Sequence, residues 1–363
     1  MNILHLAKFF YPDIGGIETV TKNICDNLSK VPGYKVDVVC FSNKAKKNNR
    51  KYKIFELKYK KIFSTPITYN FIKFYKIMLN KYDFLHIHLP NPMMVILLFF
   101  FRRNEKIIIH WHSDILSYNL LSVLFRPFEY WVLKKSYKII LTSRNYLKGS
   151  HVLRTFTKKI IINNPTTYDL SKVKVNEKLN LFKKKKLNKK IILFVGRLVK
   201  YKGLYEFLQH INLLNKDCIL VIVGDGPEKI KLHNFIKYRN LQDKVFFIER
   251  LKFKDYIFLL KNSFLFILPS LTRQEAFGMV LIEALSVGLP IINFNIKNSG
   301  VNFVNKNNLT GFNIEYLNYN KFFNKINMLV FKKKTYKTLR KNSKIRFKKF
   351  FDIKKISMSK IYE

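Results

Sequence analysis

Cysteines, acidic residues and long apolar runs are all scarce in this sequence of 363 residues. The three cysteines, Cys25, Cys40 and Cys218, stand far apart and form no C-x-x-C pair. This spacing argues against a disulfide framework and against a cysteine zinc site, and it fits a reducing cytosol. The most apolar run, 93–101, has nine residues, whereas a membrane-spanning helix needs about 20. We therefore expect no membrane span. The short apolar stretch 1–6 has no basic region before it, so we do not expect a signal peptide.

The scarcity of acidic residues leaves a formal net charge of +45, from 68 Lys and Arg against 23 Asp and Glu. One interpretation is compositional, since a genome rich in A and T raises Lys, Asn, Ile, Phe and Tyr together. The other is attraction to an anionic partner such as phospholipid head groups, nucleic acid or a diphosphate. We favour composition as the main cause, and no recognisable motif supports nucleic acid as a partner. A charge of this size is still expected to draw the protein to an anionic membrane surface.

The apolar residues, 48% of the chain, form a pattern that predicts two α/β halves. Short apolar runs alternate with amphipathic stretches such as 17–29, 116–134 and 204–214, which indicates parallel sheets with helices on both faces. The predicted strands are 2–6, 35–40, 84–88, 106–110 and 138–141 in the first half, then 191–195, 218–223, 244–248, 264–268 and 290–293 in the second.

This alternation predicts two Rossmann-like domains, residues 1–165 and 191–320. A Lys-rich linker, 166–190, joins them, and basic helices follow at 321–363. Ligands of such sheets bind outside the carboxyl ends of the strands, so two sheets that face each other would form one central cleft. Residues that follow directly after predicted strands are therefore the candidates for chemistry.

Two glycine-containing turns follow predicted strands. Gly15-Gly16-Ile17-Glu18 opens a helix after the first strand, where glycine permits close approach of a ligand and free N–H groups favour an anion. A plain tight turn is an equally good interpretation of this motif alone. In the second half, Gly196-Arg197-Leu198 and Lys202-Gly203 put two cations after the strand 191–195. A diphosphate leaving group needs such cations because it gains negative charge as its bond breaks. The alternative is two solvated cations in a Lys-rich chain.

Two glutamates eight residues apart border a predicted helix at 276–287. Glu275 lies just ahead of this helix and would hydrogen-bond sugar hydroxyls, whereas Glu283 would accept two ribose hydroxyls. The amides of the first turn would point at phosphates, helped by the helix dipole. The alternative is an N-capping acid and a solvated glutamate.

Three histidines lie on or just beyond predicted strands. His112, in Trp111-His112-Ser113-Asp114, stands where a catalytic or sugar-binding side chain belongs. His86 and His88 share one face of the strand 84–88. A zinc pair is not favoured because no third ligand has suitable spacing in the sequence. We expect His86 to be a packed strand residue and predict no metal site.

Together these motifs resemble those of the large bacterial family of retaining glycosyltransferases with the GT-B fold, the family 4-like group. The resemblance covers 15–312, and its most specific part is Gly196-Arg197…Lys202-Gly203, Gly224-Asp225-Gly226-Pro227 and Glu275-x7-Glu283, in that order. The segments 85–92 and 111–115 are similar to a subgroup often assigned mannosyl or rhamnosyl transfer. In the first domain, Asn163-Asn164-Pro165 departs from the Asn-Gly pair that the family commonly has, which affects the expected linker geometry and not the donor pocket.

The resemblance implies a role for each motif residue. Arg197 and Lys202 would bind the donor diphosphate, and Gly16 would meet it from the acceptor-side N-terminal domain. Glu275 would hold the transferred sugar, Glu283 the ribose, and His112 would contact the sugar near the reacting carbon. Backbone amides would come from Phe277, Gly278 and Met279. No general base is named, because the usual proposal for the family is that the donor phosphate helps to deprotonate the acceptor hydroxyl.

The expected activity is metal-independent transfer of a mannose-, rhamnose- or glucose-type sugar from a GDP- or UDP-linked donor to a lipid-linked glycan. We expect this in surface polysaccharide or lipopolysaccharide synthesis, with no cofactor. The enzyme would lie in the cytoplasm, peripherally on the inner face of the membrane.

The mixed aromatic and Lys-rich segment 54–82 suits an anionic bilayer, although an ordinary core helix with a basic face would explain it equally well. The alternatives are a nucleotide-sugar 2-epimerase of the same architecture and a non-catalytic protein that binds anionic surfaces. The family's C-terminal helices often cross back to the first domain, and the resemblance allows the same course for the stretch 321–363.

Overall fold

The computed structural model describes residues 1–13, 15–43, 52–62, 65–115, 120–175, 189–249 and 251–363. It forms two compact units, one of Met1–Thr166 with Ile356–Glu363, and one of Thr167–Lys355. Most of the predicted Lys-rich linker, 176–188, lies outside the described residues, as does the start of the predicted helix at 116–119.

The first unit is built on a parallel sheet of seven strands in the order β3-β2-β1-β6-β7-β8-β9. An antiparallel pair, β4 and β5, stands apart from this sheet. The strands are β1 (Asn2–Leu6), β2 (Lys35–Phe41), β3 (Ile54–Leu57), β4 (Tyr59–Ile62), β5 (Thr65–Thr68), β6 (Phe84–Leu89), β7 (Lys106–Trp111), β8 (Ser136–Leu141) and β9 (Ile160–Ile162). All five strands predicted for this half are present, because their continuous apolar runs suit strands that are buried on both faces.

Five helices connect these strands: α1 (Gly16–Leu28), α2 (Phe71–Met78), α3 (Pro92–Phe101), α4 (Leu120–Lys135) and α5 (Arg144–Gly149). One sequence interpretation of the segment 54–82 is an ordinary core helix with a basic face. The segment contains instead the three short strands β3, β4 and β5, followed by the short helix α2.

The second unit has a six-stranded parallel sheet in the order β12-β11-β10-β13-β14-β15. Its strands are β10 (Lys190–Val195), β11 (Cys218–Val223), β12 (Val245–Ile248), β13 (Leu265–Leu268), β14 (Ile291–Phe294) and β15 (Gly311–Ile314). Its helices are α6 (Leu204–Gln209), α7 (Lys229–Tyr238), α8 (Phe253–Asn262), α9 (Met279–Ser286), α10 (Val301–Val304), α11 (Tyr319–Phe331) and α12 (Lys333–Phe350). The order reverses between β10 and β13, which is where ligands of doubly wound sheets bind.

The chain enters and leaves the second unit through packed segments. Leu170, from the region predicted as linker, is buried in the hydrophobic core of this unit. The basic helices α11 and α12 belong to the same unit, and their apolar faces, including Phe322 and Phe347, are buried in its core. The final segment, Ile356–Glu363, belongs to the first unit. Among the described residues, no helix is both long and apolar enough to cross a membrane.

The helix predicted at 276–287 is shorter than expected at its amino end. It begins at Met279, because Gly278 has φ +81° and so stands in the left-handed region that ends helical continuity. Glu275 consequently lies in the loop four residues before the helix and not at its first turn.

Candidate functional site

The loops that follow β10 and β11 are held together by backbone contacts. The N–H of Gly196 donates to Val223 O at 3.0 Å, and the N–H of Leu198 donates to Asp225 O at 2.9 Å. A Cβ on Gly224 would lie 1.9 Å from Gly196 O, so no larger residue fits. Gly224-Asp225-Gly226 is therefore a structural turn that fixes the loop carrying Arg197.

A second contact joins the Lys202 turn to the loop after β13. Lys200–Lys202 forms one turn of 3-10 helix that ends at Gly203, whose φ is +67°. A Cβ at this glycine would lie 2.2 Å from Pro269 O, and the N–H of Leu271 donates to Tyr201 O at 2.8 Å. The close approach of these two loops brings Lys202 to the segment that contains Glu275.

Lys202 and Glu275 form a buried ion pair, with Nζ of the lysine donating to Oε2 of the carboxylate. Each residue is only 7% exposed. Ser270 Oγ donates to the same oxygen at 3.0 Å. Burial alone lowers the pKa of Lys202, but the Glu275 carboxylate and the hydrogen bond between them outweigh it, and the net pKa is raised. The lysine is therefore held as an ammonium ion.

Arg197 lies five residues before Lys202, in the loop that follows β10. Its side chain is exposed, unlike that of Lys202. The phenol of Tyr201, between them in sequence, has a pKa raised first by burial and then by Glu275, whereas Lys202 and Arg197 lower it. All three charges therefore act on one side chain. The structure thus brings Lys202 and Glu275 into direct contact, and Arg197 acts electrostatically on the neighbouring Tyr201.

The segment from Glu275 to α9 is fixed through its backbone. Ser299 Oγ donates to Glu275 O, and the N–H of Gly300 donates to Ala276 O at 2.7 Å. The ring of Phe277 is buried, 6.3 Å from that of Phe303, so this residue can offer a ligand only its backbone. Met279 then opens α9, and the first N–H groups of any helix lack intrahelical partners and favour an anion.

Glu283 lies on α9, half-buried, and accepts a hydrogen bond from Tyr256 Oη on α8. Burial raises the pKa of Glu283 to about 7, and the Tyr256 hydrogen bond offsets part of that effect. The sequence did not single out Tyr256, because its place in an ordinary amphipathic helix gives no signal.

The other two sequence candidates belong to the first unit. Gly16 is the first residue of α1 and is exposed. His112 directly follows β7, and its Nε2 lies 3.0 Å from Nδ1 of His88. His112 thus stands at the carboxyl end of its strand, and Gly16 opens the helix that follows β1.

His112 is part of a cluster that sequence spacing did not reveal. The groups His5, His86 and His88, and His88, His110 and His112, each have ligand nitrogens within 4.8 Å of one another. The argument that no third ligand stands near His86 and His88 is therefore wrong, because neighbouring strands supply it. The rings of His86 and His88 differ in plane by only 3°.

Two family descriptions cover most of the chain. Residues 14–149 match "Glycosyltransferase Family 4", and residues 176–346 match "Glycosyl transferases group 1". This chain is a GT-B glycosyltransferase of the family 4 type.

Curated relatives of this glycosyltransferase align along most of its length. The O-antigen chain mannosyltransferase C of Escherichia coli is 28% identical over 356 residues, which cover 97% of this chain and 94% of that protein. The D-rhamnosyltransferase WbpZ of Pseudomonas aeruginosa is 29% identical over 328 residues, which cover 86% of this chain and 82% of that protein.

Solved structures share the fold of this glycosyltransferase. The Anabaena protein Alr3699/HepE in complex with UDP-glucose superposes with a TM-score of 0.80 at 18% identity, covering 100% of this chain and 98% of that one. WaaG, a glycosyltransferase involved in lipopolysaccharide biosynthesis, superposes with a TM-score of 0.73 at 14% identity, covering 99% of each chain.

Proposed function

We propose that this glycosyltransferase transfers a mannose-, rhamnose- or glucose-type sugar from a GDP- or UDP-linked donor, with retention of anomeric configuration and without a divalent metal. The observation that carries the proposal is the buried Lys202–Glu275 pair, which joins the loop that carries Arg197 to the segment that leads into α9. Relatives named as O-antigen mannosyltransferase and D-rhamnosyltransferase support the sugar class. A neighbour solved with UDP-glucose supports a nucleotide-sugar donor.

In this proposal the donor lies across the carboxyl edge of the second sheet. Arg197 and Lys202 neutralise the charge that grows on the diphosphate as the glycosidic bond breaks, which is the part a metal ion would otherwise play. Glu275 orients the sugar, and the start of α9 meets the phosphates through the amides of Phe277, Gly278 and Met279. Glu283 accepts the ribose hydroxyls. Gly16 and His112 would contact the donor from the first unit.

The acceptor is proposed to be a lipid-linked glycan of surface polysaccharide synthesis, reached at the inner face of the cytoplasmic membrane. Helix α2 supports this, since it exposes apolar and basic side chains together. Ile72 is 74% exposed and Tyr75 48%, and Lys73 and Lys76 on the same helix are exposed. An apolar face flanked by lysines is what binds an anionic bilayer surface.

A donor panel tests the reaction. The purified protein is incubated with UDP-, GDP- and dTDP-sugars and a membrane extract as acceptor, with and without EDTA, and the product anomer is assigned by NMR. We expect transfer with at least one donor, retained configuration and no loss in EDTA. The variant Lys202→Ala should be inactive. Lys229→Ala, which breaks the exposed pair with Glu249 in the same unit, is the matched control and should keep its activity.

Each part of the proposal has its own contrary outcome. Activity lost in EDTA and restored by a divalent metal would overturn metal independence, and an inverted product would overturn retention. A nucleotide sugar epimerised without any acceptor would identify the 2-epimerase alternative. Salt-sensitive membrane binding with no sugar turnover would identify the non-catalytic alternative.

Vesicle binding tests the membrane proposal separately. Ile72→Asp should release the protein from vesicles that contain anionic phospholipid, because it places a charge in the apolar face of α2. Ile230→Asp is the matched control, since Ile230 on α7 is also 74% exposed. Equal binding by the two variants would contradict the assignment of α2 as the contact surface.

A further inference from the structure

Three adjacent strands of the first sheet carry five histidines on one face. The register sets His5 of β1 opposite His86 of β6, and His88 of β6 opposite His110 of β7. His112 follows two residues after His110, and alternate residues of a strand share a face. The first four rings are no more than 1% exposed, whereas His112 is 7% exposed. The cluster thus reaches the carboxyl edge of the sheet at His112.

Three of these rings and a tyrosine form one continuous hydrogen-bonded chain. Tyr362 Oη lies 3.2 Å from His5 Nε2. His5 Nδ1 then lies 3.0 Å from His88 Nε2, and His88 Nδ1 lies 3.0 Å from His112 Nε2. The planes of successive rings differ by 26° and 16°, so N–H bonds and lone pairs point along the chain. No described residue bonds to Nδ1 of His112, which is the open end.

All members of this hydrogen-bonded chain are neutral, so its hydrogen bonds all point in the same direction. Burial lowers the pKa of His5 to about 3 and the pKa values of His88 and His112 well below the ordinary value. Burial also raises the pKa of Tyr362. A neutral imidazole has one N–H and one lone pair. Every bond in the chain must therefore point the same way, and the hydroxyl at one end sets the tautomer of His112 at the other.

The second partner of Tyr362 anchors the hydroxyl end of the chain. Its Oη also lies 2.6 Å from Nδ1 of His86. A phenol has one O–H, so the hydroxyl donates to one of the two imidazoles and its oxygen accepts from the other. That one choice sets the direction of every bond from His5 to His112.

We propose that Tyr362, His5 and His88 are positioning residues that hold His112 in one tautomer. The protonation state of its Nδ1 is thereby fixed for contact with a hydroxyl of the bound sugar. The use by a sugar hydroxyl rests on the proposed function, whereas the tautomer itself does not. The chain also gives the segment Ile356–Glu363, which carries Tyr362, a part in the chemistry of the sheet edge.

Nitrogen NMR of the full-length, ligand-free protein tests the tautomer without any substrate. With ¹⁵N-labelled histidine, the two ring nitrogens of His112 report directly which one carries the proton, and His112→Gln assigns the signals. We expect one nitrogen of His112 to be fully protonated and the other to be unprotonated. In Tyr362→Phe the ring still packs against Phe84 and Tyr34, but the hydroxyl is gone, and His112 should become a mixture of tautomers.

The matched control is Tyr34→Phe, which removes a neighbouring hydroxyl outside the chain and should leave the His112 signals unchanged. A mixture of His112 tautomers in the wild-type protein would overturn the proposal. So would identical His112 signals in Tyr362→Phe and wild type. Once a donor is known, Tyr362→Phe should lower kcat/KM about tenfold, the equivalent of one neutral hydrogen bond. Correct NMR signals without transfer to any acceptor would count against the proposed function and leave the tautomer assignment standing.

Discussion

Replacing each member of the Lys202–Glu275 pair, alone and together, separates its structural part from its catalytic part. Both side chains are only 7% exposed, so either single change leaves one buried charge without its partner. Lys202→Met and Glu275→Gln should each cost about 3 kcal/mol of unfolding free energy, the low end for a broken buried pair. The double variant removes both charges, and its loss should fall short of the sum by ~3 kcal/mol.

The assay has to report on the second unit. Both tryptophans, Trp111 and Trp131, lie in the first unit, so tryptophan fluorescence would follow the wrong part of the chain. Native-state amide hydrogen exchange of β10 and β13 measures the opening free energy where the pair lies. Additive losses, within about 0.5 kcal/mol, would refute a coupled buried pair. Sugar transfer should remain absent in all three variants, because restored stability does not restore the sugar and phosphate contacts.

The remaining predictions concern Arg197 and Glu283. Arg197→Ala should lower kcat/KM on the order of 10²-fold, which corresponds to about 3 kcal/mol of transition-state stabilisation. Stability should change little, because this side chain is exposed and acts on the charge of the transition state. An unchanged kcat/KM would contradict its role. Burial raises the pKa of Glu283 to about 7, so its carboxylate is lost as the pH falls through 7, and the donor KM should rise below that pH. For the same reason the folded state binds this proton more tightly than the unfolded state, and the stability contribution of Glu283 declines as the pH rises from 4.5 to 7. Glu283→Gln should flatten the KM profile and stabilise the protein at pH 8 but not at pH 4, as measured by donor kinetics and hydrogen exchange. A pH-independent KM in the wild type would contradict the ribose role.

The sequence predicted the central strands well because each is a continuous apolar run that ends at a polar or glycine-containing turn. Short edge strands were missed. β9 at Ile160–Ile162 has only three residues, and β3 at Ile54–Leu57 lies in a mixed polar segment. Such strands are set by pairing with a neighbour, which no local pattern reveals. The start of α9 was misplaced for a different reason, since nothing in the sequence shows that Gly278 adopts a positive φ.

Within the candidate site, motif spacing identified which residues matter but not how they touch. Lys202 and Glu275 are 73 residues apart in sequence, and each was given a separate task. The ion pair arises because Gly203 lets the loops after β10 and β13 approach closely. The histidine chain was equally hidden, because His5 was an unremarkable strand residue and Tyr362 is 357 residues away from it. Pairing across strands carries this information, and one sequence does not contain it.

The ion pair also explains how one pocket could serve two neighbouring groups of the donor. A lysine ammonium has three N–H donors, and Glu275 occupies one of them. Lys202 and Ser270 both donate hydrogen bonds to Oε2 of Glu275. Among the described residues, none bonds to Oε1. Lys202 would therefore bind a phosphate oxygen and Glu275 a sugar hydroxyl without the pair separating. Since these groups flank the bond that breaks, the pair would fix their relative positions before the reaction, so that little reorganisation remains in the transition state.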